Sequence, residues 1–256
     1  MKIKINVKKS LNDNASDYYS KSKFARKKIE RLEKEIEKTK ELLKKEESKP
    51  KPKKKTRIKR EKEWFERFRW FLTSKGKLVI AGRDAKQNDV LYSQYLEDND
   101  LFFHADIQGA PATILKDGIN ATEEEKEETA IFAASYSSAW KTGYTTVDVY
   151  ALRKEQVGKH SQGGSVGKGA FTLTGEREWF KNTILGLTLF TEKNKKNIEI
   201  VKVLPGENKS AGKKRVIIKP GNKEKGEIAK IIAKKLDAEI DEILQILPQG
   251  TTDIIE

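Results

Sequence analysis

The stretch WFLTSKGKLVIAG at residues 70–82 decides the fold. Two apolar runs flank a Ser-Lys-Gly turn, and this pattern predicts a β-hairpin. Downstream, DLFFHADI (100–107) and APATILKD (110–117) predict two more short strands. TTVDVYALR (145–153) and AFTLTGER (170–177) predict strands that flank a glycine-rich loop. The centre of the chain therefore reads as a sheet built from short strands.

Helical patterns alternate irregularly with these strands. DAKQNDVLYSQYL (84–96) has helical spacing, and residues 122–141 predict one strong helix, with Thr122 as its cap, acidic residues in its first turn and Lys141 at its end. Near the C-terminus, NIEIVKVLP and KRVIIKPG predict a strand pair, and residues 225–248 predict two short helices broken near Asp237. Because there is no steady βαβ rhythm, we expect an α+β fold with a largely antiparallel sheet and packed helices.

The N-terminal quarter has a different pattern. Residues 2–8 alternate apolar and polar and predict a short strand. A long helix should follow from about Asp13 to Glu47, capped by Asn12 or Asp13. Its heptad seam consists of Tyr18, Ser22, Ala25, Ile29, Leu32, Ile36, Thr39 and Leu43.

A second helix is predicted from about Ile58 to Phe71, so that a coiled-coil helical hairpin precedes the sheet. Its arm is shorter than the first, and the uncovered seam suggests a homodimer or docking of another element. The predicted domains are an N-terminal arm (1–12), the helical hairpin with a basic tip (13–72), a core (73–190) and a C-terminal extension (191–256).

Composition points to a polyanionic partner. The 256 residues include 53 Lys and Arg against 39 Asp and Glu, for a net charge of +14. Each phosphate neutralised by such a surface releases counterions, which favours binding to nucleic acid. With no cysteine and two histidines, neither a disulfide framework nor a zinc site is expected, and no cofactor is predicted. No signal sequence or membrane span is recognisable, so we expect a cytoplasmic protein.

The strongest charge lies between Lys49 and Lys62, where nine basic residues accompany the single acidic Glu61. One interpretation is a basic arm that lies along phosphates; the other is a solvated coiled-coil tip. The single sign of the run favours the arm. The residues assigned to it are Lys51, Lys53, Lys54, Lys55, Arg57 and Arg60. The aromatic residues that follow are interpreted as core.

The loop GKHSQGGSVGKGAF (158–171) superficially resembles a phosphate-binding loop of nucleotide hydrolases. A Walker motif needs glycine where Gln162 stands and serine or threonine where Gly169 stands, so hydrolysis is not predicted. The loop could instead present three side chains to an RNA backbone: Lys159, His160 and Lys168.

Polar residues cluster at three other places. His104 and Asp106 could be drawn as an acid–base pair, but residues i and i+2 of a strand share a face without forming a catalytic triad, and no nucleophile stands near. Gly-Arg-Asp at 82–84 and Ser-Ser-Ala-Trp-Lys at 137–141 suit either recognition or internal capping. The chain is therefore not predicted to be an enzyme.

Four segments, in this order and spacing, resemble the NFACT-R domain of the ribosome-quality-control proteins RqcH and NEMF: RWFLTSKGKLVIAGRDAKQND (69–89), LFFHADIQGAPATILK (101–116), AASYSSAWKTGYTTVDVYALRKEQVGK (133–159) and KGAF (168–171). KSLNDNASDYYSKSKFARKKIE (9–30) is similar to the start of that family's coiled-coil middle region. Residues 216–250 are similar to the C-terminal extension of archaeal members.

The resemblance implies binding to the large subunit of a split, stalled ribosome and to tRNA, with RNA contacts from the NFACT-R domain. The residues expected to make them are Arg83, His104, Gln108, Lys141, Lys159, Lys168, Arg177 and Lys181. The family's NFACT-N and helix-hairpin-helix units are missing before the coiled coil. We therefore expect half of a split protein completed by a separate NFACT-N chain, a standalone relative or an excised fragment. The alternative is a coiled-coil interaction protein whose basic surface binds DNA or an acidic protein.

Overall fold

The computed structural model describes residues 4–47, 62–161, 164–193, 199–208, 212 and 214–255. The chain divides into two units, residues 1–60 and 61–256. The basic arm from Lys51 to Arg60 and the first part of the predicted second helix lie outside the described residues. The four predicted domain boundaries stay predictions.

The described part of the first unit contains one long helix, α1 (Leu11–Glu47), which confirms the predicted helix. It begins two residues earlier than expected because Ser10 caps it: the Ser10 hydroxyl accepts a hydrogen bond from the backbone N–H of Asp13 at 3.1 Å and donates to the Asp13 carboxylate at 2.7 Å. The expectation that Asn12 or Asp13 is the cap is therefore wrong.

The predicted strand over residues 2–8 is wrong for its described part, since residues 4–8 form no strand. Their backbone bonds to the helix start instead. The backbone N–H of Asn6 donates to the Asn14 side chain at 2.8 Å, and the Asn14 amide donates back to the Asn6 carbonyl at 3.0 Å. An alternating segment needs a neighbouring strand to satisfy its backbone, and here a buried asparagine takes that role.

The second unit contains two larger sheets. The first has six strands in the order β1-β2-β4-β3-β5-β10 and is antiparallel throughout. Its strands are β1 (Arg69–Leu72), β2 (Leu78–Ala81), β3 (Leu101–Ala105), β4 (Thr113–Leu115), β5 (Thr146–Arg153) and β10 (Glu178–Ile184). Between β5 and β10 lie four two-residue strands, β6 (Val157–Gly158), β7 (His160–Ser161), β8 (Gly164–Ser165) and β9 (Thr172–Leu173).

The second sheet has the order β12-β11-β13-β14. Its strands are β11 (Leu187–Lys193), β12 (Glu199–Pro205), β13 (Arg215–Lys223) and β14 (Thr252–Ile254). The helices of this unit are α2 (Ala85–Val90), followed by a π-helical turn over Leu91–Tyr95, α3 (Glu123–Ser135), α4 (Ser138–Thr142), α5 (Lys225–Leu236) and α6 (Ile240–Ile246). The α+β class with a largely antiparallel sheet is confirmed.

The hairpin at 70–82 is confirmed, but the helix predicted to reach Phe71 is wrong there. Residues Trp64–Arg67 form a short 3-10 turn, and β1 then pairs with β2, so that Trp70 faces Ile80 and Phe71 faces Val79. Phe71 packs in one hydrophobic cluster and Trp70 against another. A strand covered on both faces carries apolar residues without a period of two, which is why the run resembled a helix.

The helix predicted over residues 122–141 is in fact two helices, α3 and α4. Thr122 caps α3 as expected, in a reciprocal capping box with Glu125. The break falls at Tyr136, and the Ser137 hydroxyl then accepts from the backbone N–H of Ala139 at 3.2 Å to start α4. Two serines in succession thus favour a new cap over continuation of the helix.

The C-terminal region follows the prediction in part. Helices α5 and α6 are confirmed, with the break at Asp237, whose φ is 52°. The predicted pairing of β12 with β13 is wrong, because β11 lies between them and pairs with both. Strands β10, β11 and β14 were not predicted, since their short apolar runs are interrupted by polar residues.

The two sheets share one hydrophobic core. Its buried side chains come from the first sheet, α3, α4, the second sheet, α5 and α6, and include Phe103, Trp140, Leu189, Ile218 and Ile232. A second cluster covers the opposite face of the first sheet and contains Phe68, Leu91, Phe102, Ile114 and Leu152. The neighbours Phe102 and Phe103 point to opposite clusters, as successive residues of a strand must.

Candidate nucleic-acid interface

A cleft of about 670 Å³ opens where the first sheet, α2, α4 and the loop before β9 meet. Its polar and aromatic lining residues are Arg69, Arg83, Asp84, Asn88, Phe102, His104, Gln108, Tyr136, Ser137, Ser138, Lys141, Tyr150, Lys168, Phe171 and Gln249. Side chains from segments far apart in the sequence converge here, which is typical of a binding site on a rigid scaffold.

The charge of the cleft is strongly positive. Four cationic side chains line it, Arg69, Arg83, Lys141 and Lys168, against the single carboxylate of Asp84. That carboxylate caps α2 by accepting from the backbone N–H of Gln87 at 2.8 Å. The cleft therefore attracts anions.

Tight backbone contacts hold two walls of the cleft in place. Gly109 has a φ of +86°, and an added Cβ would lie 3.3 Å from the Cβ of Ser138, whose hydroxyl donates to the Gln108 carbonyl at 2.5 Å. Gly169, with a φ of +73°, donates its backbone N–H to the Asp89 carboxylate at 3.0 Å. Glycine suits both positions because the left-handed region strains other residues.

His104 lies in the cleft as a neutral aromatic group. Burial is the main cause that holds the pKa of His104 below its ordinary value, so the ring is uncharged at neutral pH. Its Nδ1 atom lies 3.2 Å from the Tyr150 hydroxyl, and its ring stacks parallel to that of Phe102. Among the described residues, His104 and Asp106 form no hydrogen bond with each other.

An aromatic strip leads away from the cleft along β5 and β10. The guanidinium of Arg177 lies 4.6 Å from the centre of the Tyr150 ring and 5.6 Å from that of Trp179. The Lys181 ammonium lies 3.8 Å from the Trp179 ring, which is 38% exposed. Alternating rings and cations of this kind offer stacking surfaces and charge to a nucleic-acid strand.

The structure brings five of the eight predicted RNA contacts into the cleft lining: Arg83, His104, Gln108, Lys141 and Lys168. Lys159 lies beside it, paired with Asp89 and donating to the Ala170 carbonyl at 2.6 Å. Arg177 and Lys181 lie on the aromatic strip. All eight thus occupy one continuous region, although their contact with RNA stays a prediction.

Sequence reasoning missed Arg69, Tyr136, Tyr150 and Phe171 as lining residues. Arg69 was placed in a helix, and the aromatic residues carried no signal distinct from core residues. In the 82–84 and 137–141 segments the capping interpretation is confirmed, because Asp84 and Ser137 cap helices. Arg83 and Lys141 line the cleft, and their part in recognition stays a prediction.

The described part of the chain contains no helix with the length and apolar character needed to cross a bilayer. Those same residues also contain no group of three or more His, Cys, Asp or Glu side chains placed to hold a metal ion.

Comparison with known proteins defines the class of domain. Residues 67–175 match the family model of the NFACT protein RNA binding domain. Every residue that lines the cleft, except Gln249, falls within this range. Residues 67–175 are therefore similar to the NFACT protein RNA binding domain, and nearly all of the cleft lining lies within the matched residues.

The wider similarity is to ribosome-quality-control proteins. The chain is 38% identical over 207 residues to the archaeal Rqc2 homolog aRqcH of Methanocaldococcus jannaschii, covering 79% of this chain and 31% of that protein. It is 36% identical over 132 residues to the ribosome quality control complex subunit NEMF homolog of Drosophila melanogaster, covering 49% of this chain and 13% of that protein. It is 30% identical over 183 residues to human NEMF, covering 67% of this chain and 16% of that protein.

The chain is thus related to the RqcH/NEMF family, and its similarity is consistent with the C-terminal half of those proteins, as the sequence predicted. It spans less than a third of the length of each of these three relatives.

Proposed function

We propose that this chain binds RNA in ribosome quality control and that the cleft and the aromatic strip form its RNA surface. The observation that carries the proposal is the convergence of four cations and several aromatic rings in one cleft of an NFACT-R domain. Its Drosophila and human relatives are named as subunits of the ribosome quality control complex. The natural targets would be the large ribosomal subunit and tRNA, in the cytoplasm.

Unpaired RNA suits the surface better than a duplex. Aromatic side chains stack on bases that have left a helix, whereas duplex RNA is recognised through its shape and its sugar-phosphate edges. The Trp179 side chain is 38% exposed and lies next to two cations, Arg177 and Lys181. Loops and ends of tRNA or ribosomal RNA supply such unstacked bases.

The first experiment measures binding of a short single-stranded RNA by fluorescence anisotropy at several salt concentrations. The double variant Lys141→Gln/Lys168→Gln should weaken binding and lower the salt slope by about 1.4, because each phosphate contact on a single strand contributes about 0.7 to that slope. A matched control, Lys230→Gln/Lys234→Gln, makes the same charge change on exposed residues of α5. Equal effects of both variants would contradict a role for the cleft.

The second experiment tests the natural target. The full chain should co-sediment with purified large ribosomal subunits at moderate salt and dissociate at high salt, and tRNA should compete better than duplex DNA. Absence of co-sedimentation at every salt concentration would refute the ribosomal target. A preference for duplex DNA would favour the alternative of a DNA-binding interaction protein.

The basic arm would add affinity without sequence preference. Replacing Lys53, Lys54 and Lys55 by alanine should lower the salt slope by roughly 2 to 3 while leaving the preference for tRNA over duplex DNA unchanged. Loss of that preference would show that the arm, and not the cleft, selects the RNA.

Helix α1 would provide a protein contact. Four apolar or aromatic seam residues on it are about half exposed: Tyr18, Ile29, Leu32 and Ile36. An isolated helix with such a stripe gains stability from a partner helix. We propose that the seam packs against a second copy or against a separate NFACT-N chain. Sedimentation equilibrium over a range of concentrations distinguishes the two, since only self-association gives a concentration-dependent dimer.

A further inference from the structure

Two cations that line the cleft, Arg69 and Arg83, lie close to a third, Lys225, and the three are called the cation cluster below. Arg69 and Arg83 line the cleft, and Lys225 begins α5. Burial is the first cause that holds the pKa of Lys225 below its ordinary value, and the positive charges of Arg69 and Arg83 lower it further. The three side chains therefore repel one another.

Burial and like charge affect the pKa values of the two arginines in the same way as that of Lys225. Burial is also the first cause that lowers the pKa of each of them, and the charge of Arg83 lowers that of Arg69 further. A cluster that is both desolvated and self-repelling is unfavourable unless a negative charge compensates it.

The described residues provide little such compensation. None of their carboxylates lies within 4 Å of a nitrogen of the cation cluster. The cations donate instead to backbone carbonyls: Arg69 to Gly82 at 2.7 Å, Arg83 to Phe68 at 3.1 Å, and Lys225 to Leu247 at 2.9 Å. Asp84 has the smallest of four effects on the pKa of Arg69. Its side chain is exposed and caps α2.

The end of α6 supplies only a partial negative charge. Carbonyls at and just beyond its C-terminus accept from Arg83 at 3.4 Å, from the Tyr136 hydroxyl at 2.8 Å and from Lys225. A helix C-terminus carries about half an elementary negative charge, which is far less than the total positive charge of the cation cluster. Lys225 also occupies the first turn of α5, where the helix dipole disfavours a cation.

Hydrogen-bonding capacity is left over as well. The Nε atoms of Arg69 and Arg83 are both buried and have no hydrogen-bond partner among the residues that the structure describes. Buried donors are normally satisfied, so two unsatisfied guanidinium nitrogens in one cluster indicate that the arrangement is optimised for something other than the stability of the free protein. The Arg69 guanidinium lies 4.6 Å from the centre of the Tyr136 ring, which fixes its plane at the cleft.

We propose that Arg69 and Arg83, assisted by the charge of Lys225, bind one phosphate group of an RNA strand in the cleft. The planar fork of a guanidinium matches the oxygens of a phosphate. A phosphate fits this place better than the carboxylate of an acidic peptide, because Lys141, Lys168 and the aromatic rings of the same cleft suit a polyanion that carries bases.

This inference rests on the proposed function but reaches beyond the matched domain. Lys225 and the carbonyls at the end of α6 lie outside residues 67–175. The C-terminal helices would therefore complete a binding site that the NFACT-R domain begins.

The test uses the full chain, with inorganic phosphate and a short single-stranded RNA as probes. Phosphate at about ten times its Kd should raise the Tm by about 3–6 °C over chloride at the same ionic strength. The Lys225→Gln variant should bind phosphate more weakly and bind RNA about fivefold more weakly. Without phosphate its Tm should be no lower than that of wild type, because the substitution relieves the repulsion among the three cations. The matched control Lys230→Gln, an exposed position on the same helix, should change none of these values appreciably.

Arg83→Gln, with the exposed Lys86→Gln as its control, gives a second comparison in case one variant fails to fold. Equal stabilisation by phosphate and chloride would overturn the phosphate site, as would unchanged RNA affinity in both Lys225→Gln and Arg83→Gln. Stabilisation by glutamate that exceeds that by phosphate would also overturn it, in favour of an acidic peptide. If wild type binds no RNA at all, the proposed function fails, whereas RNA binding that survives both substitutions refutes only the phosphate site.

Discussion

Replacing Glu125 by glutamine would test how the first hairpin is joined to α3. The Glu125 side chain is 1% exposed and accepts hydrogen bonds on both oxygens. One oxygen accepts a hydrogen bond from the Thr73 hydroxyl at 2.6 Å, and the other accepts one from the backbone N–H of Thr122 at 3.0 Å. A single buried carboxylate therefore links the turn after β1 to the start of α3.

The expected cost follows from these contacts. Glutamine has the same shape as glutamate but no charge. Its NH₂ group replaces one of the two accepting oxygens, so it faces a hydrogen-bond donor and that hydrogen bond is lost. A hydrogen bond to a charged group contributes about 1.5–3 kcal/mol and a neutral one about 0.5–1.5 kcal/mol. The lost charge also stood in the first turn of α3, where it was favoured by the dipole. We expect a loss of about 2 kcal/mol in the free energy of unfolding, or about 4–8 °C in Tm.

The pH dependence gives an independent check. Burial raises the pKa of Glu125, but the hydrogen bonds from Thr73 and Thr122 outweigh it, so that the pKa lies below its ordinary value of 4.5. Since the folded pKa is depressed, the carboxylate contributes its full stabilisation above about pH 4.5 and loses it as the pH falls through the folded value. The gap between wild type and Glu125→Gln should therefore be constant from about pH 6 to 8 and narrow in acid.

Urea denaturation followed by circular dichroism measures both effects. The control is Glu127→Gln, an exposed position on the same helix, which should change stability by less than about 0.5 kcal/mol. The reasoning is refuted if the two variants unfold at the same urea concentration, or if the gap for Glu125→Gln stays undiminished at low pH.

Two further substitutions test how the cleft walls are held. Gly169→Ala should cost about 1–3 kcal/mol and weaken RNA binding, because its Cβ would lie 2.8 Å from the Cα of Ala85. Gly76→Ala, at a similar φ of +87° but with open space around it, measures the backbone strain alone, and an equal cost in thermal melts would rule out the Ala85 contact as the cause. Trp140→Phe should cost about 1–3 kcal/mol by removing the 3.1 Å hydrogen bond from its indole N–H to the Thr252 hydroxyl. The loss of unfolding free energy from Trp140→Phe should be smaller when Thr252→Val is already present. If urea denaturation shows that the losses from the two substitutions simply add, the hydrogen bond between Trp140 and Thr252 does not contribute to stability.

The sequence predicts those parts of the fold whose signals are local. The hairpin at 70–82 has its own turn, α3 has a capping box at Thr122, and α5 ends where Asp237 adopts a left-handed conformation. Strand β11 has no comparable signal. It takes its place from pairing with β12 and β13 on either side, and such long-range pairing cannot be read from one segment.

The same distinction explains the candidate site. Arg83, Lys141 and Lys168 stand beside recognisable caps or glycines, and sequence reasoning found them. Arg69 gained its position only because β1 pairs with β2, and Lys225 meets it only because α5 packs back against the first part of the second unit. Residues brought together by tertiary packing leave no mark at any sequence spacing.

The two kinds of cation in this cleft would act on different steps of RNA binding. Lys141 and Lys168 are exposed, so their charges act at a distance, are screened by salt and mainly set the rate of association. The cation cluster is partly buried, and its partners are fixed carbonyls, so an RNA phosphate bound there exchanges water for preorganised donors. Loss of such a contact acts mainly on dissociation. The Lys141→Gln/Lys168→Gln variant should therefore slow association, because exposed charge attracts the strand. Lys225→Gln should instead speed dissociation, because the partly buried cluster retains the bound strand.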